Sequence, residues 1–73
     1  MARDTDLSVR FGKRCRTIRQ RKKLSLMDVV KNHDITLSHL QKIERGALDP
    51  RLSTLRKMAE IYDLTLSGLM RDV

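Results

Sequence analysis

Apolar positions recur at spacings of three and four along this chain, and Gly, Pro and capping residues cut the pattern into short blocks. No alternating stretch of strand type appears. That periodicity specifies an all-α fold of short helices, each of which hides one face only and needs its neighbours to bury it. Leu7, Phe11, Cys15 and Ile18 define a first helix ending near Lys22 or Lys23. Ser25 with Asp28 three positions on resembles a capping box, with Asp in place of Glu or Gln, and opens a second helix whose Val29 and Val30 face inward. This helix is expected to stop around Asn32-His33-Asp34, where Asn or Asp adopts the left-handed conformation more cheaply than most residues. Ile35, a single apolar residue in a polar turn, plugs the angle to the next helix. Thr36 caps a third helix running to Arg45, and Gly46 ends it. Beyond Ala47-Leu48-Asp49-Pro50, Ser53 caps a fourth helix with a stripe of Leu55, Met58, Ala59 and Tyr62, closed by Asp63. Thr65 caps a last turn or two carrying Leu66, Leu69 and Met70. Short connections and the lack of linkers or repeats predict one domain over residues 1–73.

A domain of this size buries only about 60% of its unfolded surface, which leaves little stability for a deep pocket. One cysteine makes no internal disulfide, and one Cys with two His does not complete a structural zinc site. Cys15 lies on the apolar stripe with no base adjacent in sequence, so it reads as a core residue. Carboxylate pairs, triad spacings, glycine-rich phosphate loops and metal sets are all missing, so the expectation is no enzyme, no cofactor and no small-molecule ligand. His33 reads as a helix-end residue. Phe11 and Tyr62 are the only aromatics, too few for a platform that stacks single-stranded bases. The N-terminus is polar and no long apolar stretch follows, which predicts neither signal peptide nor membrane span. A reduced, cytoplasmic, nucleoid-associated protein is the expected setting.

The formal charge of +7 points to a polyanion without identifying it. Half of the basic residues (Arg10, Lys13, Arg14, Arg16, Arg19, Arg21, Lys22 and Lys23) lie within fourteen positions that contain no acid. Such a run also fits a solvated helix face, a membrane-surface helix or an acidic protein partner.

The third helix narrows the choice. With Leu37 at zero and about 100° per residue, Leu40, Ile43 and Glu44 fall between about 240° and 340°, facing the core. Gln41, Arg45, Ser38 and Lys42 fall between about 40° and 140°, on the outside. Gln can bond adenine in bidentate fashion, Lys can donate to guanine and Ser can do either, so this face suits a B-DNA major groove. Any surface helix is polar outside, but two capped helices joined by a short turn with one buried aliphatic form a helix-turn-helix, spanning about 25–46. The N-terminal amides of the second helix (Leu26, Met27, Asp28) can then meet a phosphate, with Lys22 and Lys23 just upstream. His39, at the flank of the outer face, can touch another.

Glu44 sits on the buried edge of its helix, where an unpaired charge is costly. Arg19, one residue past Ile18, is its expected partner. Local pairing with Arg45 or Arg56 is the alternative.

Phe11-Gly12-Lys13-Arg14-Cys15-Arg16-Thr17-Ile18-Arg19, Leu24-Ser25, Ile35-Thr36 with Leu40, and Ile43-Glu44-Arg45-Gly46 together resemble the lambda-repressor-like helix-turn-helix family of Cro/Xre type. Pro50, Ser53-Thr54-Leu55, Met58-Ala59 and Leu64-Thr65 through Leu69 extend the likeness over residues 7 to 70. The resemblance implies a compact five-helix DNA-binding domain, acting as a symmetric dimer on a roughly palindromic operator. It places base reading on Leu37, Ser38, Gln41 and Lys42, and backbone contacts on Arg45, the loop after Gly46, and Arg51. It also places the family's Arg–Glu bridge on Arg19 and Glu44. Three positions depart from the pattern: Leu26 replaces the Gln that opens the second helix, Val30 replaces a small Ala, and Asp34 replaces the turn Gly. Leu37, apolar at the first base-reading position, can meet a thymine methyl.

The expected function is therefore a sequence-specific transcriptional regulator that binds double-stranded DNA as a homodimer. A small repressor, a restriction–modification controller protein and an antitoxin-like autoregulator all fit, and a regulatory protein partner is compatible with each. Leu48, Leu66, Leu69 and Met70 are the candidate dimer contacts, unless the last helix merely closes a monomeric core. A protein-interaction module that uses the same scaffold to bind an acidic partner or RNA is the rival from another class.

Overall fold

The computed structural model describes residues 5–73, so the polar start of the chain lies outside the described residues. All regular structure among them is helical: α1 (Thr5–Arg21), α2 (Leu26–Asn32), α3 (Leu37–Arg45), α4 (Leu52–Ile61) and α5 (Leu66–Leu69). None of these helices is long and apolar enough to cross a membrane. Phe11, Cys15, Ile18, Val29, Leu40, Ile43, Met58, Tyr62 and Leu69 meet in one core, with Ile35 buried at the α2–α3 angle. Burial pushes the Cys15 thiol up to about 12, Glu44 adding to the effect, so it is an unreactive core group.

Near its start α1 turns Ser8 inward and leaves Leu7 46% exposed. At 100° per residue Leu7 lies about 80° round the helix from Cys15 and Ser8 only about 20°. The inward stripe is thus Ser8, Phe11, Cys15 and Ile18. Arg14, within the basic run, donates to the Gly68 and Leu69 carbonyls at 2.9 and 3.3 Å and so caps the end of α5.

Three helices end by the same device, a left-handed residue followed by an amide that reaches back five positions. Gly46 (φ 69°) is followed by Ala47 N–H donating to the Lys42 carbonyl, and Asp63 (φ 55°) by Leu64 to Ala59. Lys23 (φ 59°) is followed by Leu24 donating to Arg19. The end of α2 differs from the expectation. His33 is extended (φ −140°), and neither Asn32 nor Asp34 is left-handed. The Asn32 amide donates to the Asp28 carbonyl at 2.8 Å, while Lys57 Nζ on α4 donates to the Asp34 carbonyl at 2.7 Å. These two bonds close the turn without a left-handed residue, so Asp34 is not strained there.

Ser25 and Asp28 form the expected reciprocal capping box, and Thr36 and Thr65 cap α3 and α5. The hydrogen bonds from Ser25 hold the Asp28 carboxyl below its ordinary value of 3.8. Ser53 does not cap α4. The Arg51 carbonyl accepts from Thr54 and Leu55 N–H, which starts the helix at Leu52 and leaves that leucine 74% exposed.

Candidate nucleic-acid interface

Two glycines decide where α3 sits. Gly12, on α1, lies against the last turn of α3: a Cβ there would strike the Ile43 carbonyl oxygen and come within 2.7 Å of the Glu44 oxygen. Gly46, just beyond α3, lies against the Val9 backbone of α1 in return, where a Cβ would approach the Val9 Cα to 2.6 Å. The two backbones therefore meet without side chains between them.

An ion pair secures the same seam. Arg19 Nε donates to Glu44 Oε2 at 2.7 Å and Nη2 to Oε1 at 2.9 Å, in a bidentate fork, while Nη1 donates to the Leu24 carbonyl at 2.9 Å. The side chains are 11% and 8% exposed. The hydrogen bond to Glu44 raises the Arg19 pKa further, so the guanidinium stays charged throughout the working range. Arg56, the alternative partner for Glu44, instead pairs with Glu60 on the surface of α4.

Tyr62 completes this corner, 1% exposed and with no hydrogen-bond partner for its hydroxyl among the described residues. Burial, and then the Glu44 carboxylate, push its pKa up. Because the hydroxyl is buried and unbonded, Tyr62→Phe is expected to keep or raise stability, by up to about 1 kcal/mol in thermal unfolding. A clear loss would reveal a partner for the hydroxyl in solution.

With its inner face held, α3 presents Leu37, Ser38, Gln41, Lys42 and Arg45 outward, all exposed. None of the four polar side chains among them makes a hydrogen bond or ion pair among the described residues. His39 is half-buried at the flank and lines a recess of about 370 Å³ together with Leu48, Asp49, Arg51 and Thr54. The structure thus brings His39 and Arg51 to one concavity beside α3. Lys22 and Lys23 lie exposed before α2. At the start of α2, Leu26 is half-buried and Met27 46% exposed. The Asp28 amide is taken by Ser25 Oγ, so it is not free for a ligand.

The apolar residues expected at a dimer contact fall in different places. Leu69 is fully buried within the chain and has no surface to offer a second copy. It is the last residue of the single-turn α5, its side chain part of the core and its carbonyl held by Arg14. Leu48 and Met70 are half-buried against the core, and Leu66 is 42% exposed. A shallow groove of about 600 Å³ between α4 and α5 is lined instead by Leu52, Ala59, Leu64 and Leu66, with Arg56 and Glu60 alongside. Sequence periodicity missed Leu52, since it lies off the inward stripe and before the expected cap.

Residues 10–71 match the family described as the helix-turn-helix domain. The chain is 34% identical over 65 residues to the HTH-type transcriptional regulator DdrOP3 of Deinococcus deserti, covering 89% of this chain and 50% of that protein. It is 38% identical over 56 residues to the HTH-type transcriptional regulator PuuR of Escherichia coli, covering 77% of this chain and 30% of that protein. It therefore spans half or less of the length of these relatives. Five helices joined in this order, a capped α2–α3 pair and the α1–α3 clasp agree with that match, and the chain belongs to the helix-turn-helix domain family in its lambda-repressor-like form.

Proposed function

We propose that the chain is the sequence-specific, double-stranded DNA-binding part of a transcriptional regulator, acting as a homodimer on a pseudo-palindromic operator. One observation carries this reading: α3 is clamped to α1 along one side while Ser38, Gln41, Lys42 and Arg45 stand unbonded on the other. A helix so held is a rigid probe of major-groove dimensions. Gln41 pairs with adenine, Lys42 with guanine, Ser38 with either, and Leu37 packs on a thymine methyl. Lys22, Lys23, His39, Arg45, Arg51 and the Leu26 and Met27 main chain hold phosphates, which set register without reading sequence. The names of the two relatives agree with a regulatory role. For the dimer, the groove bearing Leu52, Leu64 and Leu66 is the apolar surface that a second copy would cover.

Selection from a random duplex library tests these assignments together. The expected result is a motif of two inverted half-sites, and relaxed preference within each half-site for Lys42→Ala and Ser38→Ala, each costing about 1–3 kcal/mol of discrimination at its base. Absence of a motif would remove the sequence-specific reading. A single half-site would remove the dimer, and unchanged preference in both variants would remove the base-reading assignment.

A further inference from the structure

Between α1, the start of α2 and α3 lies an open recess of about 370 Å³, lined by Arg16, Arg19, Leu26, Gln41, Glu44 and Arg45. Its floor is electrically closed. Arg19 and Glu44 neutralise each other, and the nitrogens of Arg19 are held by the Glu44 carboxylate and the Leu24 carbonyl. Its rim is not closed. Arg16 and Arg45 are both exposed, and neither makes a hydrogen bond or ion pair among the described residues. Two free guanidinium groups thus border one concavity whose own acid is already paired. The concavity also shares Gln41 with the outward face of α3, so whatever fills it lies against that face.

We infer that Arg16 and Arg45 together seat one phosphodiester of the duplex, making α1 a direct backbone-contacting element through Arg16. The inference rests on the DNA-binding reading and adds a residue that reading does not use. A phosphodiester fits the chemistry: it is anionic, it accepts several hydrogen bonds, and two planar guanidiniums can approach its oxygens from different sides. Other exposed cations of α1, such as Arg10, do not line the recess and act only through the screened field.

The test is the affinity of the chain for a duplex of arbitrary sequence at fixed physiological salt. Arg16→Gln, Arg45→Gln, the double variant and Arg10→Gln are compared, with circular dichroism checking the fold of each. Losing a charge-assisted contact is expected to weaken binding about tenfold in Arg16→Gln. Arg10→Gln, which removes the same charge from the same helix, is expected to weaken it no more than about twofold. In the double variant the loss stays well below the product of the two single losses, because both side chains grip one phosphate. Equal losses in Arg16→Gln and Arg10→Gln would overturn the contact and leave only a field effect. Losses that multiply would overturn the shared seat. If the wild-type chain bound no duplex at all, the DNA-binding reading itself would fail, and this inference with it.

Discussion

Gly12→Ala is expected to destabilise the domain by about 3 kcal/mol, the upper part of the range for forcing extra atoms into a packed site. For a domain of this size each kcal/mol lowers Tm by about 4–8 °C, so a thermal melt followed by circular dichroism resolves it easily. Two effects oppose each other. Alanine is the better helix former by about 1 kcal/mol, so on propensity alone the substitution would stabilise α1. The new Cβ, however, meets main-chain oxygens of Ile43 and Glu44 rather than a flexible side chain. The Ile43 carbonyl accepts from Gly46 N–H at the end of α3 and cannot turn aside without breaking that cap, so relief requires α1 and α3 to separate. Separation would also stretch the Arg19–Glu44 fork, whose hydrogen bonds are 2.7 and 2.9 Å. A rise in Tm would show that propensity wins and that the seam is loose.

Glu44→Gln is expected to cost about 2 kcal/mol, because it leaves the Arg19 guanidinium without its counter-charge in a site where the side chain is 11% exposed. Glutamine keeps one oxygen acceptor but brings an amide NH2 to a position that faces a donor. Removing both charges tests the cause: Arg19→Leu with Glu44→Leu together should destabilise less than Glu44→Leu alone, since breaking a buried pair strands a charge and removing the pair does not. Glu44 lies on the side of α3 away from Lys42, so base preference measured well below Tm is expected to persist in Glu44→Gln. Thermal unfolding of these variants decides the matter, and an unchanged Tm in Glu44→Gln would show that the fork contributes nothing net.

Helix identity and most helix ends were legible because caps and periodicity are local. Ser25, Thr36, Gly46 and Thr65 act within four residues of themselves, and they stand where the pattern puts them. The Arg19–Glu44 pair was also legible, since a carboxylate on an inward face needs a cation nearby in space and α1 carries one beside its apolar stripe. The start of α4 was not. Ser53 has the chemistry of a cap, but the Arg51 carbonyl takes the first helical bonds, and the exposure of Leu52 follows from that shift. The left-handed Lys23 was equally hidden, because lysine has no intrinsic preference for that conformation. Only the bond from Leu24 back to Arg19 and the packing of Leu24 against the core hold it.

Charge shows the division most clearly. The run from Arg10 to Lys23 is uniform in sequence, a block of cations with no acid. In three dimensions Arg14 caps α5, Arg19 neutralises Glu44, and Arg16 borders a recess on the side of α3 that faces outward. The chain by itself determined that the fold is helical, where most helices begin and end, and which face of α3 is polar, because these depend on residues within a turn or two of one another. How closely α1 and α3 approach, and which cations remain free, was decided only by the tertiary structure. Those outcomes depend on backbone meeting backbone at Gly12 and Gly46 and on partners 25 residues or more apart in sequence, a distance over which no local pattern reports.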